Sequence, residues 1–126
     1  MRLKHPALAA ILTISMGSAT LTRAVDLSFL DQAPLRFLTD ADMHLLDTTI
    51  GQVLEKAKDG ESRHWQGKES GNSGTVTAMK SFELEGEPCR RIKIVTFSPS
   101  AVRGGGEALV DLCKIEGKWK ILRMPE

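Results

Sequence analysis

Apolar residues recur at spacings of three and four between Met43 and Ala57. Met43, Leu46, Ile50, Val53, Leu54 and Ala57 fall on one stripe of a helix with a period near 3.6. Thr39 or Asp40 opens this helix. Asp40 and Asp42 stand at the end where the helix dipole favours negative charge, Lys56 and Lys58 stand at the other, and Gly60 is a natural stop. Ahead of it, Asp26 to Leu38 alternates irregularly around Pro34 and reads as an approach segment or a short helix.

Beyond Gly60 the period changes to two. Ser62 to Gln66 has the length of a short strand carrying Trp65, and a turn-rich stretch from Gly67 to Gly74 follows. Thr75 to Leu84, with its β-branched residues, reads as a strand. Glu85-Gly86-Glu87-Pro88 is the expected hairpin turn. Cys89 to Phe97 is the next strand, Ser98 to Gly106 a looser connection with Pro99 and three consecutive glycines, and Glu107 to Ile115 another strand. Glu116-Gly117 turns tightly into a last strand from Trp119 to Met124. The pattern predicts an α+β fold in which one amphipathic helix packs on one face of an antiparallel sheet of about four strands.

A chain of 126 residues fits one domain. Its start has the layout of a secretory signal: basic Arg2 and Lys4, an uncharged and mostly apolar run from Ala7 to Met16, then small residues, with cleavage expected after Ala19 or Ala24. The run is shorter than the roughly 20 apolar residues of a membrane span. The expected layout is therefore a signal peptide over 1–24 and a single α+β domain over 25–126, without a transmembrane span after cleavage. Removing 1–24 takes three basic and no acidic residues, leaving a net charge of about −2. That balance argues against nucleic acid as a partner, because the only local basic cluster is Arg90-Arg91 with Lys93, which reads as a solvated strand face.

The chain has two cysteines, Cys89 and Cys113, and an oxidising compartment favours joining them. If the strand beginning at Cys89 and the strand ending near Cys113 are antiparallel neighbours, the two sulfurs fall opposite each other and staple the sheet. A thiol activity is disfavoured, since the cysteines form no Cys-x-x-Cys pair and neither has an adjacent histidine. His44 and Asp47 are three apart on the helix, a spacing that suits an acid–base couple or two metal ligands, but no third partner is evident. His64 is the other histidine of the mature chain. Gly104-Gly105-Gly106 lacks the Gly-Lys-Ser/Thr ending of a phosphate loop. With six aromatics in all, Trp65 and Trp119 are expected in the core. No catalytic residue, metal ligand or cofactor is expected.

From Trp65 onward the chain resembles the C-terminal domain of the rickettsial 17-kilodalton surface antigen family of bacterial envelope proteins. The resemblance is carried by Trp65, the run Ser70-Gly71-Asn72-Ser73-Gly74-Thr75-Val76-Thr77, the step Pro88-Cys89-Arg90, the half-motif Asp111-Leu112-Cys113-Lys114, and Gly117-Lys118-Trp119. With the amphipathic helix it covers roughly residues 45–121. It implies a bacterial envelope location and an antigen-like domain without an assigned reaction. Family members often carry a lipid-anchoring cysteine and a glycine-zipper segment ahead of this domain; neither is found here, which favours a free periplasmic domain. A second likeness, to the cone-shaped domains of the nuclear-transport-factor-2 class, rests on the terminal strand Gly117-Lys118-Trp119-Lys120-Ile121 alone.

Two functional classes follow. The first is an exported, non-enzymatic structural or interaction module of the cell envelope, periplasmic or at the surface, meeting other envelope proteins or peptidoglycan. The alternative is a small ligand-binding or hydrolytic domain of the cone class, using His44, His64 or Asp47. A deep pocket lined by those three residues favours the alternative, and a filled core favours the module.

Overall fold

The computed structural model describes residues 37–100 and 105–123. The expected signal peptide and cleavage sites, the segment around Pro34, and Gly104 lie outside the described residues. Helix α1 spans Asp40–Lys56 and is followed by β1 (Ser62–Gln66), β2 (Ser73–Leu84), β3 (Glu87–Phe97), β4 (Gly105–Ile115) and β5 (Lys118–Arg123). The strands form one antiparallel sheet in the order β1-β2-β3-β4-β5, so each pairs with its neighbour in sequence. The α+β expectation holds; Ser62–Gln66 supplies the fifth strand, at one edge.

α1 ends four residues before Gly60, with Ala57 as C-cap, and Gly60 instead takes a left-handed turn conformation with φ of 90°. Its apolar stripe meets the sheet as the spacing requires. Leu46, Ile50, Val53, Leu54 and Ala57 are buried, and Met43 packs at their margin. Opposite them lie Trp65 of β1, Val76 and Ala78 of β2, Ile92 and Ile94 of β3, and Val110 and Leu112 of β4. These are alternate strand positions, as expected where one sheet face is covered. Both Trp65 and Trp119 pack with this cluster.

Two hairpins close on two-residue turns, Glu85-Gly86 and Glu116-Gly117, each with both φ angles positive (50° and 82°, 52° and 78°). Such turns match the right-handed strand twist, and glycine at the second position adopts the conformation without a Cβ penalty. The first turn is shorter than expected from sequence: Glu87 and Pro88 belong to β3. Pro88 is accommodated because β3 pairs with β4 only from Cys89 onward. Gly105 and Gly106, expected in the connection, belong to β4. Gly105 sits so close to the Thr96 carbonyl oxygen that a Cβ there would collide with backbone.

A register shift between Ala78 and Lys80 leaves Met79 as an extra residue in β2. Before it, Val76 and Ala78 face the helix; after it, Ser81 pairs with Arg90 on the helix side, and Lys80 and Phe82 pair with Arg91 and Cys89 on the other. A bulge of this kind reverses the inside–outside pattern of the residues beyond it.

Candidate functional site

The polar chemistry of the domain gathers where the helix meets the sheet. At the N-terminus of α1, the Thr39 backbone N–H donates to Asp42 Oδ2 and the Asp42 N–H donates to Thr39 Oγ1, both at 3.1 Å, forming a reciprocal cap. The same carboxylate is gripped from the β1–β2 loop. Ser70 Oγ donates to Asp42 Oδ1 at 2.9 Å, and Asn72 Nδ2 donates to Asp42 Oδ2 at 2.9 Å and to the Phe37 carbonyl at 2.8 Å. Gly67 presses against this cluster so closely that a Cβ would strike Asp42 Oδ1 and Ser70 Oγ. Asp42 is 1% exposed. Burial alone would raise its pKa, but the bonds from Asn72, from the Thr39 N–H, from Ser70 and from the Thr39 hydroxyl together hold it below the ordinary 3.8.

At the other end of α1, Arg90 reaches across from β3. Its Nη1 donates to the Val53 carbonyl at 2.7 Å, which also accepts from the Ala57 N–H, and to the Leu54 carbonyl at 3.2 Å, an acceptor that the helix end leaves without a backbone donor. Its Nη2 donates to Asp59 Oδ1 at 2.9 Å. Asp59 in turn accepts from the Ser81 N–H and hydroxyl at 3.0 and 2.8 Å, and these bonds, with that from Arg90, lower its pKa. The bulge in β2 is what turns Ser81 toward this cluster. One turn back on the helix, Glu55 accepts two bonds from Lys114 Nζ, at 2.9 and 3.2 Å, and one from Trp119 Nε1 at 2.8 Å. Lys114 and then Trp119 lower its pKa.

The outer sheet face carries two further cross-strand ties between β3 and β4. Arg91 donates to both oxygens of Asp111, at 2.7 and 3.1 Å, and Asp111 raises the Arg91 pKa. Cys89 and Cys113 are directly opposed in the register and joined as a disulfide with Cα atoms 4.0 Å apart. The bridge expected from the strand pairing is present.

The basic cluster read from sequence as a solvated strand face is divided by strand alternation. Arg90 turns inward and is 8% exposed, while Arg91 and Lys93 take positions on the other face. Arg90 shares the parity of Ile92 and Ile94, and that alternation was the signal for its inward position. The Thr39-x-x-Asp42 spacing likewise announces the cap. Nothing local announces that Asn72 and Ser70 complete it.

His44, Asp47 and His64 do not converge. His44 is exposed and lines an open groove of about 640 Å³ beside the helix N-terminus, with Leu45, Gln66, Lys68 and Glu69. Asp47 is half-buried on the same helix. His64 alternates with inward-facing Trp65 and therefore projects from the sheet face away from α1. Among the described residues, no group of three or more His, Cys, Asp and Glu side chains could hold a metal ion, and no helix is long and apolar enough to cross a membrane.

Compared with known proteins, the chain is homologous to the 17 kDa surface antigen of Rickettsia bellii strain RML369-C. The two are 29% identical over 89 residues, which cover 68% of this chain and 53% of the relative. A second Rickettsia bellii protein of the same description gives the same identity and coverage. The chain thus spans about half the length of the curated relatives it matches. No protein-family model matches the chain, and no solved structure matches it significantly.

Proposed function

We propose that this chain is an exported, non-enzymatic domain of the bacterial cell envelope, acting through its exposed surfaces as a structural or interaction module. The observation that carries the reading is the employment of the motif residues. Asn72 holds the start of the helix, Arg90 its end, Lys114 and Trp119 grip Glu55 between them, and Cys89 is bonded to Cys113. Polar side chains occupied in this way keep a helix seated on a sheet; they are not poised to act on a substrate. Homology to surface antigens supports an envelope location, and the disulfide suits an oxidising compartment. Other envelope proteins or peptidoglycan are the partners this reading proposes.

The test begins with location. Expressed with its own N-terminus in a Gram-negative host, the protein is expected in the periplasm or envelope, shortened by about 19–24 residues. Full-length protein confined to the cytosol refutes the reading. Crosslinking in intact envelopes then identifies what the domain touches; recovery of a low-molecular-weight substrate turned over by the purified protein would refute the non-enzymatic part.

A further inference from the structure

The face of the sheet turned away from α1 is covered by no described element. The strand register places four lysines on it: Lys80 of β2, Lys93 of β3, and Lys118 and Lys120 of β5. None of the four has an ion-pair partner among the described residues, whereas Arg90 and Lys114, turned toward the helix, each end on a carboxylate at 2.9 Å. Arg91, on the outer face, is neutralised by Asp111. The remaining carboxylates at outward positions, Glu87 and Glu107, leave the face net positive. On the opposite layer α1 carries Asp40, Asp42, Asp47 and Glu55 against one lysine, Lys56. Charge is therefore sorted between the two layers of a domain that is slightly acidic as a whole.

Apolar side chains flank these lysines, Leu84 beside the β2–β3 turn and Phe97 at the far end of β3. Phe97 is 54% and Leu84 43% exposed, and Lys80 Nζ lies 5.6 Å from the centroid of the Phe82 ring. We propose that this outer sheet face docks on an anionic phospholipid surface. Lysines supply attraction to the headgroups, at about fivefold in partition for each one near the surface. Phe97 and Leu84 enter the interfacial layer, where exposed apolar groups are stabilised. A soluble polyanion would satisfy the lysines and leave Phe97 and Leu84 in water, so a lipid surface accounts for more of the face. The proposal takes from the envelope reading only the presence of a membrane to meet, and the two fail separately: export is read by cell fractionation, docking by vesicles in vitro.

The experiment is co-sedimentation of the purified exported protein with vesicles of phosphatidylcholine alone or mixed equally with phosphatidylglycerol. Binding to the mixed vesicles only, weakened by added salt, is expected. The variant Lys80→Glu/Lys118→Glu/Lys120→Glu, all at exposed positions, should lose on the order of a hundredfold in partition. Leu84→Ser/Phe97→Ser should weaken binding at unchanged charge, and Lys56→Glu/Lys68→Glu, on the helix side, should bind as wild type. Circular dichroism melts establish that each variant is folded. The proposal is overturned if wild type ignores anionic vesicles, if the triple variant binds like wild type, or if the helix-side control loses as much. It is also overturned, in favour of a polyanion site, if polyglutamate displaces the vesicles and the Leu84/Phe97 variant is unaffected.

Discussion

Replacing Arg90 with methionine removes the guanidinium and keeps most of the apolar stem. Two bonds to the C-terminal end of α1 disappear, at 2.7 and 3.2 Å, and the Leu54 carbonyl loses the side-chain donor that reaches it. The Val53 carbonyl is less exposed to the change because it also accepts from the Ala57 N–H at 3.2 Å. Leaving a buried acceptor without a partner costs about 1–3 kcal/mol, and a bond from a charged donor contributes about 1.5–3 kcal/mol. The Asp59 pair adds little, since that carboxylate is 49% exposed and solvent screens it. Together these give a loss of about 3 kcal/mol, or a fall in Tm of about 10–20 °C for a domain of this size. Urea unfolding followed by the fluorescence of buried Trp65 and half-buried Trp119 measures it. Asp59→Asn separates the two contributions and should cost far less than Arg90→Met, because the exposed pair is screened by solvent. If Arg90→Met unfolds within about 0.5 kcal/mol of wild type, or Asp59→Asn costs as much as Arg90→Met, the carbonyl contacts do not hold the helix end and the reasoning fails.

Non-reduced mass spectrometry should find the Cys89–Cys113 bridge and no unbridged thiol; replacing both cysteines with serine should cost about 3 kcal/mol, because the bond closes a loop with a sequence separation of 24. Asp42 has its folded pKa below its unfolded value, so the unfolded chain binds more protons in acid, and the stability from this group is present above about pH 4 and lost as pH falls through the folded value. Acid unfolding monitored by circular dichroism should accordingly be shallower in Asp42→Asn, and an acid limb identical to wild type would remove Asp42 from that role. Gly67→Ala drives a methyl into Asp42 Oδ1 and Ser70 Oγ and should destabilise by about 1–3 kcal/mol in thermal melts; a neutral result would mean that the cluster yields freely.

Periodicity along the chain determined the elements. A stripe at spacings of three and four can bury itself only as a helix, alternation of β-branched residues only as strands, and Glu-Gly steps between them close tight hairpins, so one helix on an antiparallel sheet follows from local chemistry. Adjacent strands then place Cys89 opposite Cys113, which is why the bridge was legible. The tertiary structure alone decided which polar groups meet. The inserted Met79 reverses the facing of every β2 residue after it, sending Lys80 to the outer face and Ser81 to Asp59 and Arg90, and no alternation count predicts where a bulge falls. Asn72 and Asp42 are 30 residues apart and become partners because the loop before β2 arrives under the start of α1. Local propensity acts over a turn or a strand pair, while bonds between distant segments form only after apolar burial has fixed the helix on the sheet. Buried in that way, the polar groups of the loop and the strands satisfy one another or are left without partners, and the fold that survives is the one that pairs them.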